Sequence, residues 1–126
     1  MSRVSISEAE SQVMEVLWRA GEAIPAEQVI SALVRQQHWQ EATIKTLLNR
    51  LLKKGAIRAE KDGRRYLYTA VLKRDEWVTS ESKNLLDRLF GGRIAPLVAH
   101  FGSRSKLSKS DLAELTRLIE EMRDDE

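Results

Sequence analysis

A mainly α fold is predicted for this chain of 126 residues: three short helices, a two-stranded hairpin, and then an all-helical segment. Three observations predict it. Apolar residues recur at helical spacing in three successive segments that end by Gly55. Asp62-Gly63 separates two short runs, the second holding Tyr66, Leu67, Tyr68 and Val71, as a hairpin requires. After about residue 72 the pattern is helix only. Helix, helix, helix, strand, strand is the order of a winged helix-turn-helix domain, so two parts are expected, a winged-helix domain at 1–71 and a helical dimerisation domain at 72–126.

The first helix starts at Ser7, which can cap it while Glu10 reaches back to the cap's free amide. Val13, Val16, Leu17 and Ala20 carry its stripe until Gly21 stops it. Pro25 suits the first turn of a second helix with Val29, Ile30, Leu33 and Val34, ending near Gln37; Ala23-Ile24 could add a short strand before it. The third helix, ATIKTLLNRLLKKG at 42–55, places Ile44, Leu47, Leu48 and Leu51 at i, i+3, i+4 and i+7. Lys53 and Lys54 in its last turn complement the helix dipole, and Gly55 can end it in the left-handed conformation. A type I′ turn at Asp62-Gly63 then joins Ala56–Lys61 to Arg64–Val71.

Beyond the hairpin, Trp77, Val78, Leu85, Leu86, Leu89 and Phe90 mark a helix broken by Gly91-Gly92. Ile94, Leu97, Val98 and Phe101 form the next stripe, with Pro96 near its start. Leu107, Ser108, Asp111 and Leu112 read as a capping box with a hydrophobic staple, opening a last helix with Leu112, Leu115, Leu118, Ile119 and Met122. So short a set of helices buries too little surface to stand alone. A second copy of the chain is the expected cover, through Trp77, Leu85, Leu86, Leu89, Phe90, Ile94, Leu97, Val98, Phe101, Leu112, Leu115, Leu118, Ile119 and Met122.

Charge narrows the function. The whole chain carries a net of only +2, but residues 42–65 hold eight Lys and Arg against Glu60 and Asp62, a local excess of +6 that suits a polyanion. That excess falls on the third helix and the hairpin, the two elements of this fold that meet DNA. The outward face of the third helix offers Ala42, Thr43, Lys45, Thr46, Asn49, Arg50 and Lys53 to the major groove, where small polar side chains and Arg or Lys meet base edges. Trp39 in the preceding turn, Lys54, and Lys61, Arg64 and Arg65 at the hairpin are assigned to the DNA backbone. With no Cys, disulfides, thiolate metal sites and a Cys nucleophile are excluded. His38 and His100 stand far apart without metal-ligand spacing or catalytic partners, so no enzyme, metal or cofactor is expected. No apolar run is long enough for a membrane span and the first twenty residues are too polar for a signal peptide, which points to the cytoplasm.

Ile-Ser-Glu-Ala-Glu at 6–10, Val-Met-Glu-Val-Leu-Trp at 13–18, Thr-Ile-Lys-Thr-Leu-Leu-Asn-Arg-Leu at 43–51, Lys-Lys-Gly at 53–55 and Leu-Phe-Gly-Gly at 89–92 resemble the penicillinase/methicillin-resistance repressor family (BlaI/MecI/CopY type). The resemblance spans about residues 5–122. It implies a homodimeric transcriptional repressor of β-lactam resistance genes that grips a palindromic operator with TACA and TGTA half-sites. Thr43, Lys45, Thr46 and Arg50 match the family's recognition helix, whereas Gln40-Glu41 replaces the usual Ser-Pro at its start. In lactam-responsive members a membrane sensor and protease system cleaves an Asn-Phe bond in the dimerisation region, which corresponds here to His100-Phe101. Copper-responsive members use C-terminal cysteines, absent from this chain. Two other readings are a winged-helix adaptor for proteins and a repressor of the same fold answering a metal or another stress; the basic third helix and hairpin argue against an adaptor.

Overall fold

The computed structural model describes residues 4–104 and 107–125. It divides into two compact units, the first ending at Val78 and the second beginning at Thr79.

In the first unit, α1 (Glu8–Ala20) starts from both halves of the expected box: Ser7 Oγ accepts from the Glu10 amide at 3.1 Å, and Glu10 Oε1 accepts from the Ser7 amide at 2.7 Å. Gly21 ends it with φ of 68°. α2 (Ala26–Gln37) begins one residue later than its proline suggests. Pro25 is the cap, not the first helical residue, because its extended backbone, with ψ of 158°, belongs to a short edge strand in which its lack of an N–H is tolerated. His38 closes α2 in the left-handed conformation, with φ of 59°. α3 (Glu41–Lys54) ends in a Schellman arrangement, the Gly55 amide donating to Leu52 O at 3.1 Å and the Ala56 amide to Leu51 O at 3.0 Å. Gly55 takes a φ of 78°, as this closure requires.

Three antiparallel strands, β1 (Ile24–Pro25), β2 (Ile57–Asp62) and β3 (Arg65–Ala70), lie in the order β1-β3-β2. The third strand expected at Ala23-Ile24 is thus shifted by one residue, and it pairs Ile24 with Tyr68 and Pro25 with Leu67. The hairpin also differs from expectation. Asp62 pairs with Arg65, so the two-residue loop is Gly63-Arg64, not Asp62-Gly63. Gly63 has φ of 67°, and among the described non-glycine residues only His38 has positive φ. Positive φ at the first loop position alone is the pattern of a II′ turn rather than I′. Register decides this: closing on Asp62-Gly63 would move every partner by two residues and set Ile57 opposite Tyr68, whereas Ile57 pairs with Ala70.

The core beneath these elements gathers Val13, Met14 and Leu17 from α1, Val29 and Leu33 from α2, the four apolar residues of α3, and Ile57 and Leu72. Burying each such side chain contributes about 1.5–3 kcal/mol. Leu72 draws the chain after the hairpin into this unit, and the Trp18 indole N–H donates to its carbonyl at 2.8 Å. Trp77 packs on Trp18 with ring centroids 5.5 Å apart, and Arg74 pairs with Glu15 at 2.9 Å. Residues 72–78, assigned from sequence to the second domain, therefore lie in the first unit. Trp77 in particular packs on the edge of its core.

α4 (Arg74–Phe90) begins in the first unit and runs into the second, where α5 (Ile94–Arg104) and α6 (Lys109–Asp124) follow. Gly91 and Gly92, with φ of 59° and 77°, separate α4 from α5. Ser108 caps α6 by accepting from the Asp111 amide at 3.0 Å. Among the described residues only that half of the expected box forms, because Asp111 is one methylene shorter than the Glu or Gln that reaches back to a cap. No described residue of α4, α5 or α6 is buried.

Candidate nucleic-acid interface

Because Ile44, Leu47, Leu48 and Leu51 face the core, the rest of α3 turns outward. Ala42, Thr43, Lys45, Thr46, Asn49, Arg50 and Lys53 are all exposed. Thr46 Oγ1 donates to Ala42 O at 3.0 Å, which uses its hydroxyl proton and leaves the oxygen free to accept. At the start of the helix Lys45 Nζ lies 2.9 Å from Glu41 Oε2. The hydrogen bond that Lys45 donates to Glu41, then the Glu41 charge, raises the Lys45 pKa above the ordinary lysine value.

The hairpin presents Lys61, Arg64 and Arg65, all exposed. Arg65 lies 3.8 Å from both Asp62 and Glu27, and Arg58 lies 3.3 Å from Glu60. The local positive field is therefore softer than a count of charges suggests. Lys45, Arg58 and Arg65 each have an acidic neighbour, whereas Arg64 occupies the turn itself.

Two residues assigned to the DNA backbone make contacts within the protein. Lys54 Nζ donates to Ser5 O at 2.9 Å and to Glu10 Oε1, so it clamps the end of α3 to the start of α1. Glu10 is only 2% exposed. Burial alone would raise its pKa, but the Lys54 and Ser7 hydrogen bonds and the Lys54 charge outweigh that and leave the carboxyl below its ordinary value. Trp39 is half-buried and packs on the core. One candidate was missed. Tyr66, cross-strand from Lys61, is 52% exposed, so its phenol is open to solvent beside the basic hairpin. From sequence it read only as a strand former; its signal was the alternation that puts Tyr66 and Tyr68 on one face and Leu67 on the other, with too little burial at the hairpin tip to cover the first.

In the second unit Leu85, Leu89, Ile94, Val98, Phe101, Leu112, Ile119 and Met122 are exposed, while Leu86, Phe90, Leu97, Leu115 and Leu118 are half-buried. His100 and Phe101 are exposed on α5, the His100 ring 6.2 Å from that of Phe90. Among the described residues no group of three His, Cys, Asp or Glu could hold a metal ion, and no helix is long and apolar enough to cross a membrane.

Three helices over a three-stranded sheet, with the third helix polar and basic on its outer face and followed by a basic hairpin, define a winged-helix DNA-binding module. Comparison with known proteins narrows the class. The chain matches the family described as Penicillinase repressor over residues 6–121, and it belongs to that family. It is 34% identical over 116 residues to the penicillinase repressor of Bacillus licheniformis, covering 92% of this chain and 90% of that protein. It is 32% identical over 114 residues to the methicillin resistance regulatory protein MecI of Staphylococcus aureus, covering 90% and 92%. Its structure is similar to the solution structure of the DNA-binding domain of the repressor BlaI, with a TM-score of 0.54 and 38% identity over 60% of this chain and 93% of that one. The monomeric form of Bacillus licheniformis BlaI in complex with the blaP half-operator gives a TM-score of 0.53 at 38% identity, over 60% of this chain and 93% of that one.

Proposed function

We propose that this chain is a homodimeric transcriptional repressor in which α3 enters the major groove of each half of a palindromic operator with TACA and TGTA half-sites. One observation carries the reading: seven polar or small residues on the outer face of α3, from Ala42 to Lys53, are all exposed, beside a hairpin with Lys61 and Arg64 at its tip. Thr43, Thr46 and Arg50 contact base edges, while Lys53, Lys61 and Arg64 neutralise phosphates. The likeness to BlaI in complex with a half-operator supports the same docking. The second unit supplies the dimer contact. Its exposed apolar side chains, Leu89 and Ile94 among them, need cover that none of the described residues provides.

The bound dimer blocks transcription of β-lactam resistance genes in the cytoplasm. Relief comes from cleavage at His100-Phe101 by a membrane sensor and protease system. Both residues are exposed, and α5 must unwind locally to offer an extended strand to a protease. The test is a gel shift of a palindromic duplex carrying TACA and TGTA half-sites, repeated at rising salt. Phosphate contacts release counterions, so affinity falls steeply with salt if the reading holds. Binding that ignores both sequence and salt would instead favour an adaptor for other proteins.

A further inference from the structure

Glu41 is an acid in the first turn of α3, the part of a recognition helix that approaches base edges most closely. A carboxylate there is repelled by phosphate, so a helix serving only to bind DNA would gain by omitting it. Glu41 is not a cap: the cap is Gln40, which makes no side-chain hydrogen bond to the helix start. Nor is it a packing residue, since its side chain is 61% exposed. Its partner is Lys45, one turn on and 2.9 Å away, with a side chain 59% exposed. The two therefore present to the groove an acceptor and a donor side by side.

A G·C base pair offers the complementary pattern on its major-groove edge, with guanine O6 and N7 accepting and the cytosine N4 amino group donating. We propose that Glu41 is a specificity-determining residue of this chain: with Lys45 it forms a two-headed reader for a G·C pair, Lys45 donating to guanine and Glu41 accepting from cytosine N4. An A·T pair sets its donor, adenine N6, between two acceptors, whereas G·C keeps both acceptors on guanine and its donor on cytosine; where the donor is out of register the carboxylate is desolvated without one, and Lys45 leaves its partner unpaired if it turns to a phosphate. Discrimination thus comes as much from what Glu41 penalises as from what it binds. The proposal rests on the DNA-binding reading above, with α3 as the reading helix.

The test compares the wild-type chain, Glu41→Ala and Glu60→Ala. Glu60 pairs with Arg58 on the hairpin, 3.3 Å away, so its removal changes net charge equally but away from α3. Each protein is titrated with the TACA/TGTA palindrome, with duplexes substituted at every base pair of one half-site in turn, and with a random duplex of equal length. Wild type should discriminate roughly tenfold at one G·C pair. In Glu41→Ala that preference collapses, binding to random duplex tightens several-fold, and its salt slope steepens by about one ion as Lys45 becomes free for phosphate. Glu60→Ala tightens binding without altering the base profile. If Glu41→Ala keeps the wild-type base profile, or if Glu60→Ala flattens it equally, this inference falls while the repressor reading stands. If wild type itself prefers no position, the repressor reading falls and takes this one with it.

Discussion

Replacing Lys54 with Met tests whether a lysine at the end of the reading helix serves the fold or the DNA. Lys54 holds two acceptors, Ser5 O and the carboxylate of Glu10, which is 2% exposed. Its other oxygen, Oε2, has no partner among the described residues, so Lys54 and Ser7 carry the compensation for this buried charge. A charged hydrogen bond contributes about 1.5–3 kcal/mol, and stranding a buried charge costs about 3–5 kcal/mol. The Lys54 side chain is 38% exposed, which lets water reach the vacated site and reduces the loss. The expected cost of Lys54→Met is therefore about 2–4 kcal/mol, a fall in Tm on the order of 10–20 °C for a unit this small. Tryptophan fluorescence reads this unit alone, because Trp18, Trp39 and Trp77 all precede Val78. Glu10 has a pKa below its ordinary value in the fold, so its contribution is complete at neutral pH, above the unfolded value, and is lost as pH falls through the lowered folded pKa. Wild type should accordingly lose more stability than Glu10→Gln between about pH 5 and the lowered value. If Lys54→Met melts like wild type yet binds operator weakly, the clamp is wrong and Lys54 is a phosphate contact after all.

Arg50→Ala should cost about 1–3 kcal/mol of operator affinity, read by fluorescence anisotropy, with no change in melting because Arg50 is exposed. Leu89→Asp places a charge in the expected apolar contact; Leu89 is 58% exposed, so the helix should survive while sedimentation equilibrium shows monomers. Gly55→Ala meets no atom within 4 Å, so its effect is the backbone strain of a φ of 78° alone, about 1 kcal/mol in denaturant unfolding.

Much of this was legible in the residues because it is local. Ser7 with Glu10, the four-residue stripe of α3 and the glycine at 55 each act within a turn or two of chain, and the structure forms them as read. What escaped reading depends on partners distant in sequence. Glu10 read as the capping-box acid of the first helix and Lys54 as a cation at a helix end; only the packing of α1 against α3 brings them together across 44 positions. Trp77 opens a helix whose later residues are exposed, so its stripe could not show that its first turn packs on Trp18. The hairpin loop was missed by one residue because Asp62-Gly63 and Gly63-Arg64 are both acceptable turns, and the pairing of Ile57 with Ala70 decides between them. On the outer face of α3 the readable part was which residues point outward. The Glu41–Lys45 pair was not assigned, although its i, i+4 spacing was the available signal.

The central claim, that the outer face of α3 with the hairpin is the surface that reads DNA, is tested most directly by amide chemical-shift mapping of the isotopically labelled chain titrated with the TACA/TGTA palindrome. The account predicts that shifts concentrate at 41–50 and 61–66 and disappear at high salt. Shifts confined to the exposed side of α1 and α2, with α3 unmoved, would contradict it.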